Sequence, residues 1–261
     1  MPLDPCYLDL LTALSPWVFW DELKKERFSA LYDLLLDTNQ SMNVTALTDP
    51  ASVTVKHFAD SLSLLSIPAL GDALRNGSVC DLGCGGGFPG LPLAIAFPEA
   101  KLTMIDSTEK KIRAVAENAA NLDLRGVQAI SGRGEDLSKP GFPLREAFEA
   151  VVSRAVAPLP LLIELCLPFV KPCGVFIAMK GAHGREEMEE SRRGAGQLGA
   201  GRIETISVSF PDADLSRIPD DCRAIVADAL NANRELIVFF KTKATPKRFP
   251  RTWAQMKKKT L

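Results

Sequence analysis

The chain has 261 residues, of which 46% are hydrophobic, 24% charged and 7% aromatic, with a formal net charge of -1. This composition is typical of a globular protein large enough to bury its own core, so no disulfide or metal is needed for stability. The six cysteines form no C-x-x-C pair, which argues against a disulfide framework or a zinc site. The N-terminus lacks the basic residues of a signal peptide, and no apolar run approaches the roughly 20 residues of a membrane span. We therefore expect a cytoplasmic protein with neither membrane contact nor metal.

The N-terminal part of the chain predicts helices. Apolar residues recur at helical spacing through residues 8–38, and Pro16 interrupts them, which favours two or more helices. Another helical pattern runs from Val53 to Leu65 and ends near Pro68. We therefore predict a helical N-terminal segment over residues 1–69.

From residue 78 the pattern changes to short β-type runs that alternate with helix-length segments. Such alternation is typical of a parallel sheet with helices on both faces. Two last strand patterns, RIETISVSF and ELIVFF, are separated by a long connection rich in Asp and Pro, and their order suggests antiparallel pairing at the sheet edge. The strand patterns followed by helical segments are SVCDL, KLTMID, GVQAIS, FEAVVS and GVFIAMK. Residues 70–242 are thus predicted to form an α/β domain with a seven-stranded, mostly parallel sheet.

The C-terminal end is strongly basic. Eight of the 31 Lys and Arg residues lie in residues 241–261, which contain no acid, so the rest of the chain has 23 basic against 32 acidic residues. This asymmetry is typical of an arm that binds a polyanion, but a solvated tail that aids solubility would give the same pattern. Residues 243–261 are therefore predicted to be a basic tail, with both interpretations open.

The stretch VCDLGCGGGFPG, residues 79–90, predicts a strand, a glycine loop and the start of a helix. Glycines allow a sharp turn and a close approach of the backbone to a ligand. Residues 85–90 match the Gly-x-Gly-x-x-Gly fingerprint of dinucleotide sites, whereas residues 81–87 match the loop that binds S-adenosylmethionine (SAM). Asp106, at the end of the second strand pattern, suits both, since its two oxygens can accept both ribose hydroxyls.

Three features favour SAM over a nicotinamide dinucleotide. Asp81 would repel a pyrophosphate but can organise a loop near a cationic ligand that lacks phosphate. The third strand leads into residues 132–136, GRGED, which places acids and flexible backbone where an adenine edge would lie. The chain has only two histidines, His57 and His183, and no separate substrate domain for hydride transfer. An NAD-linked oxidoreductase remains the alternative enzyme.

Together these motifs resemble the bacterial small-subunit ribosomal RNA guanine-N7 methyltransferase family, also called glucose-inhibited division protein B. The resemblance runs from about residue 25 to 251, and VKHFADS and SRA are more specific than the glycine loop. The chain departs from the family pattern at Cys84–Gly86 in the glycine loop. It also departs at Phe249, a position where the family usually has tyrosine. The matching segments are Asn43–Ala46, Val55–Ser61, Asp81–Ala94, Asp106–Ser107 with Lys110–Lys111, Gly134–Asp136, Ser153–Ala157, Met179–Gly181 and Thr245–Arg251.

The resemblance implies a Rossmann-like, class I SAM-dependent methyltransferase that modifies N7 of a guanosine in 16S ribosomal RNA, free or in the small ribosomal subunit. The SAM-binding residues are expected in the glycine loop and after the second, third and fourth strands: Gly83, Gly85, Phe88, Asp106, Gly134, Glu135 and Arg154. Candidate contacts to RNA phosphates are Lys180, at the end of the fifth strand, and Lys247, Arg248 and Arg251 in the tail. A non-catalytic RNA-binding or ribosome-assembly module remains a further alternative.

No catalytic side chain is predicted, because guanine N7 has an exposed lone pair and needs no deprotonation. The Asn/Asp-Pro-Pro-Tyr motif of amino-group methylation is replaced by Ser-Arg-Ala-Val at residues 153–156. Cytosine C5 methylation needs a cysteine nucleophile, and Cys173 belongs to a predicted turn instead. Lys56 and Asp60 are predicted to share one face of a helix that covers the cofactor. His183 has no predicted role.

Overall fold

A computed structural model of the protein describes residues 2–261. At its centre lies a seven-stranded sheet with the order β3-β2-β1-β4-β5-β7-β6. The first five strands are parallel, and β7 pairs antiparallel with both β5 and β6. The strands are β1 (Ser78–Leu82), β2 (Lys101–Asp106), β3 (Val127–Ser131), β4 (Phe148–Arg154), β5 (Val170–Lys180), β6 (Ala200–Ser207) and β7 (Glu235–Lys241). The predicted sheet and its antiparallel edge are confirmed.

Helices pack on both faces of this sheet. Those before β1 are α1 (Pro5–Leu14), α2 (Glu22–Met42), α3 (Pro50–Val53), α4 (Asp60–Ser63) and α5 (Pro68–Asn76). Those that alternate with the strands are α6 (Gly90–Ala96), α7 (Glu109–Asn121), α8 (Gly134–Leu137), α9 (Leu159–Cys166), α10 (Gly184–Gln197) and α11 (Asp220–Asn231). The last helix, α12, spans Trp253–Lys258. The long connection between β6 and β7, for which the sequence pattern predicted no helix, contains α11.

Local sequence explains the N-terminal helices. Asp21 caps α2 by accepting a hydrogen bond from the backbone N–H of Lys24, at 2.8 Å, and Asn43 ends this helix with a left-handed φ of 48°. Pro16 lies between α1 and α2, as predicted. The predicted helix over residues 53–65 is present, but residues 54–59 between α3 and α4 form a π-helical turn, which the spacing of apolar residues does not indicate.

Two apolar clusters occupy the two faces of the sheet. The first joins the N-terminal helices to α6, α7 and α11, and the second joins α9 and α10 to the end of the chain. Successive residues of β5 alternate between the clusters, with Ile177 in the first and Phe176 in the second. The N-terminal helices therefore share a core with the sheet, and the predicted boundary at residues 69 and 70 falls inside α5.

The basic C-terminal segment, residues 243–261, is packed on the body. Phe249 and Met256 are buried in the second cluster. The Arg145 guanidinium donates to the carbonyl oxygens of Thr245, at 2.7 Å, and Phe249, at 2.9 Å. The last helix begins with a capping box in which Thr252 and Gln255 bond to each other's backbone N–H. The interpretation as a solvated tail is therefore wrong for this part of the chain, because its apolar side chains and carbonyls have partners on the body.

Across residues 2–261, no helix is both long enough and apolar enough to cross a membrane. In the same residues, no group of three or more His, Cys, Asp and Glu side chains is placed to hold a metal ion.

Candidate cofactor-binding cleft

A cleft of about 610 Å³ opens at the carboxyl ends of β1, β2, β3 and β4. In open α/β sheets, ligands bind outside the carboxyl ends of the strands, where the strand order reverses. Here the chain winds from β1 to β2 and β3 on one side, and β4 lies on the other side of β1. The structure brings all the predicted SAM-binding residues to this cleft: Gly83, Gly85, Phe88, Asp106, Gly134, Glu135 and Arg154.

The glycine loop follows β1 and is tied to the end of β2. The backbone N–H groups of Gly83 and Cys84 both donate to the carbonyl oxygen of Ile105, at 2.7 and 3.1 Å. Gly83 has a φ of +78°, and a Cβ there would lie 2.1 Å from a methyl group of Val156. Gly85 also has a positive φ, +54°, and a Cβ there would meet nothing within 4 Å, since this position faces open space. The loop therefore lets a ligand approach its backbone.

Asp81 lies beneath the loop and is fully buried. Its Oδ2 accepts a hydrogen bond from the backbone N–H of Gly90, at 2.8 Å, and Gly90 is the first residue of α6. Burial raises the pKa of this carboxyl to about 7, although the hydrogen bond from Gly90 opposes the shift. A dinucleotide pyrophosphate binds the free N–H groups at such a helix start. Because Asp81 occupies this position, the site does not fit a pyrophosphate.

Asp106 ends β2 and faces the cleft. Its Oδ2 accepts from the backbone N–H of Gly85, at 3.1 Å, and its Oδ1 from that of Thr108, at 2.8 Å. Each carboxylate oxygen has a second lone pair, so both can still accept a ligand hydroxyl. The hydrogen bonds hold the carboxylate in place, as a site for a ribose diol requires.

The far end of the cleft follows β3. Gly134 begins α8, and the position of its missing Cβ lies 3.3 Å from Leu82 and 3.8 Å from Leu165. Glu135 is buried, although it lines the cleft, and lies 3.7 Å from the guanidinium of Arg133. Trp253 of α12 also lines the cleft, and nothing in the sequence pattern indicated this.

The opposite end contains a linked set of side chains around Arg154. The guanidinium donates to the carbonyl oxygen of Lys56, at 3.1 Å, and contacts Nδ1 of His57, at 3.2 Å. Because arginine can only donate, Nδ1 of His57 accepts and Nε2 carries the proton, which is donated to Oγ1 of Thr45 at 2.9 Å. The imidazole stacks on the ring of Phe88, with 4.9 Å between centroids.

His57 is neutral in this arrangement. Burial is the largest cause, and the nearby positive charge of Arg154 adds to it, so that the pKa of His57 falls to about 4. Burial also lowers the pKa of Arg154, but arginine remains charged at physiological pH. Both ring nitrogens of His57 have hydrogen-bond partners, which link the side chains of Thr45 and Arg154 through the imidazole.

Of the segment predicted to cover the cofactor, His57 lines the cleft. The charges of this segment pair differently from the prediction. Asp60 forms an ion pair with Arg234, which follows α11. The π-helical turn at residues 54–59 changes the side-chain spacing, so the i, i+4 rule of a regular helix does not apply to Lys56 and Asp60. Exposed His183 contacts Glu186 at 3.2 Å, outside the cleft.

The structure separates the predicted phosphate contacts into two kinds. Lys180 is largely buried and donates to Glu187, at 2.8 Å, and to the carbonyl oxygen of Ala157. Arg251 forms an ion pair with Glu164, at 2.6 Å. A phosphate contact from either side chain would require breaking an internal ion pair, so neither is a free surface cation. Lys247 and Arg248 are exposed.

A family model described as GidB, rRNA small subunit methyltransferase G, matches residues 24–209 of the chain. A protein named ribosomal RNA small subunit methyltransferase G from Staphylococcus carnosus is 39% identical over 231 residues, which cover 88% of each chain. A protein with the same name from a Thermoanaerobacter species is 40% identical and covers 79% of this chain and 85% of its own.

Among solved structures, an O-methyltransferase from Bacillus cereus in complex with SAH has a TM-score of 0.53 at 12% identity and covers 90% of this chain and 97% of its own. The O-methyltransferase TomG from Streptomyces achromogenes, solved in complex with SAM, has a TM-score of 0.52 at 16% identity and covers 90% and 96%. The fold is therefore that of the Rossmann-like, class I SAM-dependent methyltransferases, as predicted.

Proposed function

The chain belongs to the rRNA small subunit methyltransferase G family, and we propose that it transfers a methyl group from SAM to N7 of a guanosine in 16S ribosomal RNA. The observation that carries this proposal is the cleft at the carboxyl ends of β1–β4, which the predicted SAM-binding residues line together. The relatives named ribosomal RNA small subunit methyltransferase G give the substrate class. An NAD-linked oxidoreductase is not favoured, because Asp81 takes the N–H that a pyrophosphate would need.

The cleft offers a group for each part of SAM. Asp106 accepts the ribose hydroxyls with the lone pairs that its two backbone hydrogen bonds leave free. Gly83, Gly85 and Phe88 would surround the methionine part, and Gly134 and Glu135 would hold the adenine. The buried Asp81 carboxyl holds the start of α6 through the backbone N–H of Gly90 and thereby fixes the end of the glycine loop.

Bound SAM supplies an activated methyl group and its own leaving group. The protein has to hold guanine N7 in line with the methyl carbon at near-attack distance, and N7 needs no base. His57 fits this requirement, because a neutral imidazole with both nitrogens engaged is unsuited to proton transfer. Arg154 contacts both members of the His57–Phe88 stack, with its guanidinium 3.2 Å from Nδ1 of His57 and 5.5 Å from the Phe88 ring centroid, and fixes this end of the cleft.

The proposed substrate is 16S ribosomal RNA, free or within the small ribosomal subunit, and the proposed location is the cytoplasm. Exposed Lys247 and Arg248 are proposed to contact its phosphates, while Lys180 and Arg251 stabilise the fold through Glu187 and Glu164. Deleting the whole C-terminal segment would not test this, because Phe249 and Met256 are part of the core.

A transfer assay tests the proposed activity. Purified protein is mixed with SAM labelled in its methyl group and with 16S RNA or small subunits from cells that lack the protein, and the product is digested to nucleosides. We expect the label in 7-methylguanosine. Label in another nucleoside would refute the proposed atom. Absence of label from both substrates, together with SAM binding, would favour the non-catalytic RNA-binding module.

Charge substitutions test the RNA contacts. A Lys247→Gln/Arg248→Gln variant should weaken RNA binding and flatten the log–log salt dependence by about 0.7–0.9 for each phosphate that is no longer bound. The matched control is Lys101→Gln/Arg125→Gln, which removes two exposed charges at the amino ends of β2 and β3, away from the cleft. Equal slopes for the two variants would refute phosphate contacts from Lys247 and Arg248.

A further inference from the structure

The C-terminal segment places an aromatic ring in the cleft. Trp253, the first residue of α12, lines the cleft while also packing against the apolar cluster around α9. It is the residue of this segment that reaches the cofactor-binding residues, since Phe249 and Met256 point into the core. The indole is thus partly buried and partly open toward a ligand.

Contacts on both sides hold Trp253 in this position. Two residues earlier, the backbone N–H of Arg251 donates to Oε1 of Glu164, at 2.8 Å, and its guanidinium bonds both oxygens of the same carboxylate. Glu164 is 1% exposed and belongs to α9. Two residues span at most about 7 Å, so the indole stays near α9. Buried Met256 anchors the other side.

The strand order decides which end of a ligand Trp253 meets. The cleft runs from β4 across β1 and β2 to β3, and Asp106 at the end of β2 is placed for the ribose. The adenine then lies beyond β2, toward Gly134 at the start of α8. Leu165 of α9 packs against Gly134, 3.8 Å from its missing Cβ position, and α8 contacts α9. Trp253 lies on this α9 side, next to the adenine end.

We propose that Trp253 binds the adenine of SAM by packing its indole against the purine, so that the C-terminal segment forms part of the cofactor site. This inference rests on SAM as the proposed cofactor. An indole offers a large apolar face to a purine, and base–aromatic stacking contributes substantially to affinity in other sites. The basic segment then has a second task besides RNA binding, which explains why it is fixed to α9 rather than free.

Binding measurements test the contact. Isothermal titration with S-adenosylhomocysteine and with adenosine should show both ligands weakened by Trp253→Ala, by at least about fivefold, the lower end for one aromatic–base stack. Adenosine should lose the same factor, because it keeps the purine and lacks the amino-acid part. Trp253→Phe should retain most of the affinity. Trp17→Ala is the matched control, since Trp17 lies between α1 and α2 and does not line the cleft.

Fluorescence gives a second readout that requires only conservative Trp→Phe variants. The protein has three tryptophans, Trp17, Trp20 and Trp253, and S-adenosylhomocysteine should change the indole emission of the wild-type protein. Trp253→Phe should abolish the change, and Trp17→Phe should preserve it. A saturating signal with the affinity measured by titration is the expected result.

The outcomes separate this inference from the proposed function. Failure of the wild-type protein to bind SAM or S-adenosylhomocysteine would overturn both. Wild-type binding with an unchanged affinity in Trp253→Ala would overturn the adenine contact alone. An unchanged cofactor affinity with a raised KM for RNA would assign the indole to an RNA base and would also overturn it.

Discussion

Replacing Asp106 with alanine should weaken SAM binding strongly and leave the fold intact. The carboxylate holds two backbone N–H groups and keeps lone pairs for the ribose hydroxyls. A hydrogen bond to a charged group contributes about 1.5–3 kcal/mol, which corresponds to a loss of roughly 10- to 150-fold in affinity. Asp106 is only partly buried, so water can reach the N–H groups of Gly85 and Thr108, and the loss of unfolding free energy should stay below about 1 kcal/mol.

Isothermal titration with S-adenosylhomocysteine and thermal unfolding measure the two effects separately. Asp106→Asn keeps one acceptor oxygen without the charge, so its affinity should fall between those of wild type and Asp106→Ala. Asp72→Ala serves as the matched control, because this carboxylate lies exposed on α5, before the amino end of β1. An Asp106→Ala variant that is folded and binds the ligand as tightly as wild type would refute the ribose assignment.

Three further substitutions test the loop, the buried acid and the C-terminal anchor. Gly83→Ala should weaken SAM binding at least tenfold and lower Tm, because its Cβ would lie 2.1 Å from Val156 and the positive φ costs about 1–2 kcal/mol; normal binding and Tm would contradict this. The pKa of Asp81, raised to about 7, should make the unfolding free energy fall as pH rises from about 4 to 7. In urea unfolding, the Asp81→Asn variant should lack this decline, so that the change in unfolding free energy between about pH 4 and 7 differs from that of wild type by a few kcal/mol. Parallel pH profiles for wild type and variant would contradict the raised pKa. Arg251→Gln should lower the unfolding free energy by about 3–5 kcal/mol, since the buried Glu164 carboxylate loses its charged partner and keeps only the backbone N–H of residue 251. Adding Glu164→Gln should restore much of this loss, and additive effects of the two substitutions in chemical denaturation would exclude the coupling.

The sheet could be predicted from sequence because its strands have strong local patterns. SVCDL and KLTMID coincide with β1 and β2 residue for residue. By contrast, α11 was missed: its short apolar face fully buries only Val226 and Ala229, and Asp and Pro residues precede it in the sequence. Tertiary packing therefore stabilises this helix where local pattern is weak.

The cleft could be predicted in part, for a similar reason. Asp106 and Arg154 end their strands and Gly83 directly follows its strand, and the carboxyl ends of these strands meet at one edge. The strand pattern alone therefore brings the three residues together. His57 and Trp253 come from segments far away in the chain, and no local pattern places them there. No local pattern indicates the ion pair between Arg251 and Glu164 either, because the two residues are 87 positions apart. This pair helps to fix the C-terminal segment, which was predicted to be a tail, on the body of the protein.

The most direct test of the proposed activity is a nucleoside map of 16S ribosomal RNA from cells that lack the protein. Liquid chromatography with mass spectrometry compares this RNA with RNA from the same cells after the wild-type protein or the Asp106→Ala variant is restored. One 7-methylguanosine should be absent without the protein, return with wild type and stay reduced with the variant. An unchanged content of 7-methylguanosine in all three samples would contradict the proposed activity.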